Sequence, residues 1–148
     1  MKNADPNVSY GYQSRATHRA FDRLLQKHLS KHKMANGFWY VLRVLWEQEG
    51  MSQRELADAA NLTESSAVIM LENMRKAGLV RRKKDPEDRR RQRVYLTAKA
   101  RRLRAKLLPI AFDVNALASH GINKADLTTY LRVSHQLRAN LNAARKAG

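Results

Sequence analysis

Residues 52–97 read SQRELADAANLTESSAVIMLENMRKAGLVRRKKDPEDRRRQRVYLT, and the reading of this stretch decides the fold. Ser52-Gln53-Arg54-Glu55 has the pattern of a capping box, with Ser52 capping and Glu55 reaching back. The short helix it opens runs to Ala59 or Ala60 and turns Leu56 and Ala60 inward. Asn61 and Leu62 make a turn. Thr63 caps a second helix that runs to Ala77 and stops at Gly78. Ala67, Met70, Leu71 and Met74 recur at spacings of three and four and form its core face. Two strands follow, 79–84 and 92–96, separated by the turn residues Asp85-Pro86-Glu87-Asp88. Two short capped helices and a basic hairpin spell a winged helix-turn-helix, a module that lays its second helix in a DNA major groove with the hairpin beside it.

Working outward, Ala16, Ala20, Phe21, Leu24, Leu25 and Leu29 recur at helical spacing, which predicts a helix over 12–32. The polar residues 1–9, with Pro6, are expected to fray. Asn36-Gly37 is expected to break the chain before 38–48, a segment apolar nearly all round and so a buried helix closed by Gly50. Downstream, Thr97 caps a long helix over 98–120, followed by Gly121. Pro109 lies inside that helix and is expected to kink it near 105–108. Asn123 caps a last helix over 124–144. The predicted class is mainly α with a small β-hairpin wing.

Composition narrows the function. The 148 residues suit one domain, or one domain with helical extensions. There are 29 Lys and Arg against 13 Asp and Glu, a net charge of +16. Residues 75–106 hold 15 of the basic residues and 3 of the acidic ones, net +12, so most of the excess sits in one segment. Charge that concentrated points to a polyanionic partner. Without cysteine, disulfides, thiolate-bound zinc and thiol redox sensing are excluded. No apolar run approaches a membrane span and residues 1–12 lack a signal-peptide core, so a cytoplasmic protein with no membrane partner is expected. No Ser-His-Asp constellation, phosphate-binding glycine loop or pair of catalytic carboxylates emerges. Neither an enzyme nor a cofactor is expected. His28 and His32 stand four apart, but no carboxylate accompanies them in that half of the helix, and a metal site is not the expectation.

The predicted DNA surface has two parts. On the second helix of the pair, the face opposite the core carries Ser65, Ile69, Glu72 and Lys76, flanked by Ser66, Val68 and Asn73. Small polar residues near the start, with Thr63 at the cap and Gln53 on the preceding helix, let backbone amides approach phosphates and base edges. Val68 and Ile69 are odd on a solvated helix and make sense against thymine methyl groups, or else against a neighbouring element. On the hairpin, Arg89, Arg90 and Arg91 form the tip, with Lys84 and Arg93 on the strands, suited to an adjacent minor groove. Asp88 beside the arginines is expected to hold the turn.

These residues resemble the MarR family of bacterial transcription regulators. The resemblance runs over GFWYVLRVL (37–45), with Trp39 and Leu42, then QRELADAANLT (53–63), LENMRKAGLVRR (71–82) and DPEDRRRQRVYLTAKA (85–100). It implies a single domain over 1–148, with a winged lobe over 37–108 and a homodimerisation body from helices within 10–35 and 110–145. It also implies a recognition helix over 63–77, a wing arginine at Arg90, and a palindromic double-stranded operator. Val68 and Ile69 replace residues often polar and basic in the family, and Ala100 replaces a usual glycine. The resemblance further implies a crevice for a small aromatic or phenolic acid, lined by Trp39, Tyr40 and Trp46, with Arg15, His18 and Arg19 to pair its carboxylate. Ordinary core packing is the competing reading of those aromatics. The expectation is a repressor released by such a ligand. Its rivals are an architectural DNA-binding protein without effector, or a metal- or pH-responsive regulator using His18, His28, His32, His120 or His135.

Overall fold

The computed structural model describes residues 4–148, apart from the side chain of Asn36. In chain order its elements are α1 (Tyr10–Leu29), α2 (Asn36–Glu47), β1 (Met51–Ser52), α3 (Gln53–Ala59), α4 (Glu64–Lys76), β2 (Val80–Lys84), β3 (Gln92–Leu96), α5 (Ala98–Ala118) and α6 (Lys124–Ala147). The chain divides into two compact units, one through Val114 and one from Asn115 to Gly148.

The start of the chain is more ordered than its composition suggests. Asp5 caps a single 3-10 turn over Pro6–Val8, and Ser9 caps α1 by accepting from the Tyr12 amide. Residues 1–3 lie outside the described residues. The break after α1 also falls elsewhere. The helix tightens into a 3-10 turn over Ser30–His32, and Lys33 reverses the chain at φ 55°. Gly37, expected to be the breaker, lies inside the first turn of α2. A Cβ there would meet the terminal methyl of Met70 on α4, with the Met70 sulfur at 3.2 Å, so the flexible end of that side chain would have to shift.

The sheet has the order β1-β3-β2 and is antiparallel throughout. β2 and β3 form the expected hairpin, with Val80 opposite Leu96 and Lys84 opposite Gln92. β1 pairs Met51 with Val94 and Ser52 with Arg93, a third strand that two residues could not announce by alternation. Gly50 makes it possible by turning at φ 79° and donating its amide to the Val94 carbonyl at 2.9 Å.

One core serves the first unit. It joins Leu25 and Leu29 of α1, Trp39, Val41, Leu42 and Leu45 of α2, Leu56 of α3, Leu71 and Met74 of α4, Val94 and Leu96 of β3, and Ala100, Leu107, Ala111 and Val114 of α5. The apolar circumference of α2 is spent here, as its composition predicts. α5 continues through Pro109, so its ring occupies a position where a helical N–H is missing. In the second unit Asn123 caps α6 by accepting from the Asp126 amide at 2.8 Å. α6 buries none of its own residues.

Candidate nucleic-acid interface

The helix pair is fixed by its caps. Ser52 Oγ accepts from the Glu55 amide at 3.1 Å, and Glu55 Oε2 accepts from the Ser52 amide at 2.8 Å. The Ser52 amide foremost holds the Glu55 carboxyl below its ordinary value. Asn61 takes φ 56°, and the Leu62 amide closes the turn on the Ala57 carbonyl at 2.8 Å. Thr63 Oγ1 then accepts from the Ser66 amide at 3.2 Å and donates to Ser66 Oγ at 2.9 Å.

From that cap α4 separates two faces. Ala67, Leu71 and Met74 are buried, with Met70 half-buried beside them. Ser65, Ser66 and Asn73 are exposed, and so are Val68 at 49% and Ile69 at 65%. No neighbouring element of the described chain covers those two apolar side chains. Gln53 is half-buried at the foot of α3, where its Oε1 accepts from Arg82 Nη1 at 3.1 Å.

The wing is organised by one carboxylate. Asp85 is the buried charged residue of the described chain, at 6% exposure. Its Oδ1 accepts from the Glu87 amide at 2.9 Å, its Oδ2 from Arg93 Nε at 2.9 Å, and its own amide donates to the Arg91 carbonyl at 2.9 Å. The Glu87 amide first, then the Arg93 guanidinium, hold its carboxyl below the ordinary range. Asp88 holds the tip as expected, accepting from the Arg90 amide at 3.0 Å and lying 3.7 Å from Arg91 Nε. Arg89 and Arg90 project from that frame, exposed, and among the described residues neither guanidinium has an ion pair. Lys84 is exposed on β2. Arg93 differs from the other wing cations expected at the DNA surface. Bound to Asp85, and with Nη1 3.5 Å from the Gly50 carbonyl, it is a brace inside the wing. On the outer face Arg81 and Lys83 lie 5.7 and 5.6 Å from the Tyr95 ring centre.

The base of the wing is tied to its supports. Thr97 Oγ1 donates to the Gly78 carbonyl at 2.7 Å and accepts from the Ala100 amide at 3.2 Å. Glu49 accepts the Leu96 amide at 2.7 Å and a forked pair from Arg101 at 2.9 and 3.0 Å. Arg101 foremost keeps that carboxyl ionised below its ordinary range.

Of the residues expected to line an aromatic crevice, the two tryptophans pack against each other. Trp39 is 1% exposed and meets Trp46 edge-on at 5.6 Å. Trp46 spends its N–H on the Ala100 carbonyl at 2.9 Å. Trp46 thereby ties α2 to α5, and Trp39 is buried in the core of the first unit. Tyr40 donates to Asp22 Oδ1 at 2.6 Å, and burial, then Asp22, raise its hydroxyl above the ordinary range. His18 lies 6.1 Å from the Tyr40 ring, and Arg15 and Arg19 are exposed on α1. Among the described residues no three His, Asp or Glu side chains gather to hold a metal.

Sequence reasoning missed three residues that build this surface: Asp85, Glu72 and Glu49. Asp85 looked like turn chemistry and is the wing's anchor. Glu72 looked like part of a solvated face, yet its carboxylate takes a forked pair from Arg75 at 3.1 and 2.8 Å and a third bond from Arg82 at 2.6 Å.

Residues 38–91 match the MarR family. A curated relative, the HTH-type transcriptional regulator TtmR of Methylorubrum extorquens (strain PA1), is 34% identical over 92 residues, which cover 62% of this chain and 47% of that protein. The chain spans about half the length of the curated relatives it matches. The solved structure of transcriptional regulator PA3341 is 30% identical, with a TM-score of 0.82, over 91% of this chain and 99% of that one. The structure of Bordetella bronchiseptica BpsR, described for regulation of its DNA binding by 6-hydroxynicotinic acid, has a TM-score of 0.82 at 20% identity. It covers 92% of this chain and 97% of that one, a likeness that shows the fold alone.

Proposed function

This chain belongs to the MarR family of transcription regulators, and we propose that it binds a palindromic double-stranded operator as a homodimer and acts as a repressor. Its relatives are regulators, and it is not read as an enzyme. One observation carries the DNA reading. α4 holds Val68 and Ile69 out to solvent beside Ser65, Ser66 and Asn73, while a braced wing presents Arg89 and Arg90, exposed and without an ion pair among the described residues. Apolar side chains exposed on a capped helix suit thymine methyl groups, and free guanidinium groups on a rigid tip suit a minor groove. Two such lobes related by a two-fold axis engage half-sites about 10 base pairs apart.

The dimer is supported by α6, where Tyr130, Val133, Leu137 and Leu141 are all exposed at helical spacing, a stripe more apolar than a solvated helix requires. Release by a small aromatic acid is the finer part of the reading. It is supported by the fold shared with BpsR and by Tyr40 and His18 standing together on α2 and α1, with Arg15 and Arg19 of α1 exposed. A ligand preferring a lobe spacing that misfits DNA would lower affinity by a coupling of about 1–3 kcal/mol.

The test is Arg90→Ala in a mobility-shift assay on a palindromic duplex. Loss of a groove contact should weaken binding by about 1–3 kcal/mol with the circular dichroism unchanged. Equal affinity for wild type and variant would remove the wing from the interface.

A further inference from the structure

We propose that Arg82 is a positioning residue that locks the wing to the recognition helix, so that the two elements meet DNA as one rigid reader; this rests on the DNA-binding reading above. Three elements converge on its guanidinium. From β2 it donates through Nη2 to Glu72 Oε2 on α4 at 2.6 Å and through Nη1 to Gln53 Oε1 on α3 at 3.1 Å. The pairing register places Arg82 opposite Val94, so it shares the inner side of the hairpin with Val80, whereas Arg81 and Lys83 belong to the outer side. Its side chain is only 22% exposed. Arg82–Glu72 is the ion pair between α4 and the wing among the described residues.

The chemistry of the junction explains why arginine is needed. A lysine is a single point charge, whereas the planar fork of arginine satisfies acceptors on two elements at once. Glu72 is the complementary hub. Two guanidinium groups, Arg75 first, hold its carboxyl down to about 2, so it is ionised near neutral pH. An isolated carboxylate one turn beyond Ile69 would repel a phosphate backbone. Here the Glu72, Arg75 and Arg82 trio carries a net charge of +1 and remains compatible with DNA. Otherwise α4 meets β2 through the short link at Gly78 and Leu79, whose amide donates to the Met74 carbonyl at 2.9 Å, while Thr97 and Glu49 tie the base of the hairpin. The Arg82 bridge adds a directional side-chain tie from the middle of β2 to the face of α4. Arg90 at the tip then lies at a fixed offset from Ile69, and its groove contact is available only when α4 is seated.

The experiment is a mutant cycle on a duplex selected by the wild-type protein. In the wild-type background Arg90→Ala should weaken binding about 5- to 150-fold, the cost of a lost groove contact. Arg82→Met keeps the aliphatic bulk and deletes both bridges. In that background the Arg90→Ala penalty should shrink to less than about threefold, while base preference at the position read by Ile69 stays unchanged. Glu72→Gln attacks the junction from the other side and should give the same uncoupling, which keeps the test decisive if Arg82→Met folds poorly. A purely structural residue would lower the melting temperature and leave the Arg90 penalty intact, and that result would overturn the proposal alone. Failure of the wild-type chain to bind any duplex would overturn it together with the DNA reading.

Discussion

Ile69 and Leu71 stand two residues apart on α4, and replacing each by alanine should separate binding from stability. Leu71 is fully buried, at 0% exposure, in the core of the first unit. Truncation there leaves a cavity and should cost about 2–5 kcal/mol of unfolding free energy. That is a large share of the roughly 5–15 kcal/mol typical of a domain this size. Ile69 is 65% exposed, so alanine removes little buried area from the free protein. Alanine is also the better helix former by a few tenths of a kcal/mol, and the net effect on stability should stay within about 0.5 kcal/mol. On DNA the order reverses. Fully burying an isoleucine side chain is worth about 1.5–3 kcal/mol, and about two thirds of this one is available to be covered. Ile69→Ala should therefore weaken binding by roughly 1–2 kcal/mol, about 5- to 30-fold. Urea unfolding of the free proteins and fluorescence anisotropy on a labelled palindromic duplex measure the two quantities. A large loss of stability in Ile69→Ala, or undiminished DNA affinity, would refute the placement of this face.

Acid should weaken the fold in a defined window. Glu72 has its carboxyl lowered from 4.5 to about 2, and Glu49, Glu55 and Asp85 are lowered too. Groups with depressed folded values stabilise the protein above their unfolded values and lose that contribution as pH falls, so unfolding midpoints should drop progressively from about pH 5 toward pH 2. A flat profile across that range would contradict the ion-pair frame. Tyr40→Phe deletes the hydroxyl donor to Asp22 and should cost about 0.5–1.5 kcal/mol in urea titration, with near-zero loss meaning that the bond is not held in solution. The apolar stripe on α6 should make the chain a dimer in sedimentation at micromolar concentration, and Leu137→Glu with Leu141→Glu should shift it to monomer. A wild-type monomer would remove the two-fold operator from the account.

The sequence was most legible where local chemistry acts alone. Ser52, Thr63 and Asn123 cap the helices their residue types announce, and the hairpin strands end close to where turn residues begin. Features that depend on distant partners were not legible. β1 exists because β3 offers an edge to two residues beside Gly50, a pairing no periodicity encodes. Gly37 reads as a breaker until Met70 arrives from α4 to occupy the space of its missing Cβ. Arg93 and Arg90 look alike in a basic run, and only the buried Asp85 distinguishes a brace from a free cation. Trp39 and Trp46 allow both core packing and a ligand wall in the sequence for the same reason: ring-rich helices carry no mark of which neighbour their rings will meet.

Selection of bound duplex from a random pool, read by sequencing, tests the central claim most directly. A dimer that reads DNA through α4 and the braced wing should enrich a palindrome whose half-sites are centred about 10 base pairs apart, with an A·T-rich flank facing the wing tip. Recovery of sequences with no shared motif, or of a single half-site without symmetry, would contradict it.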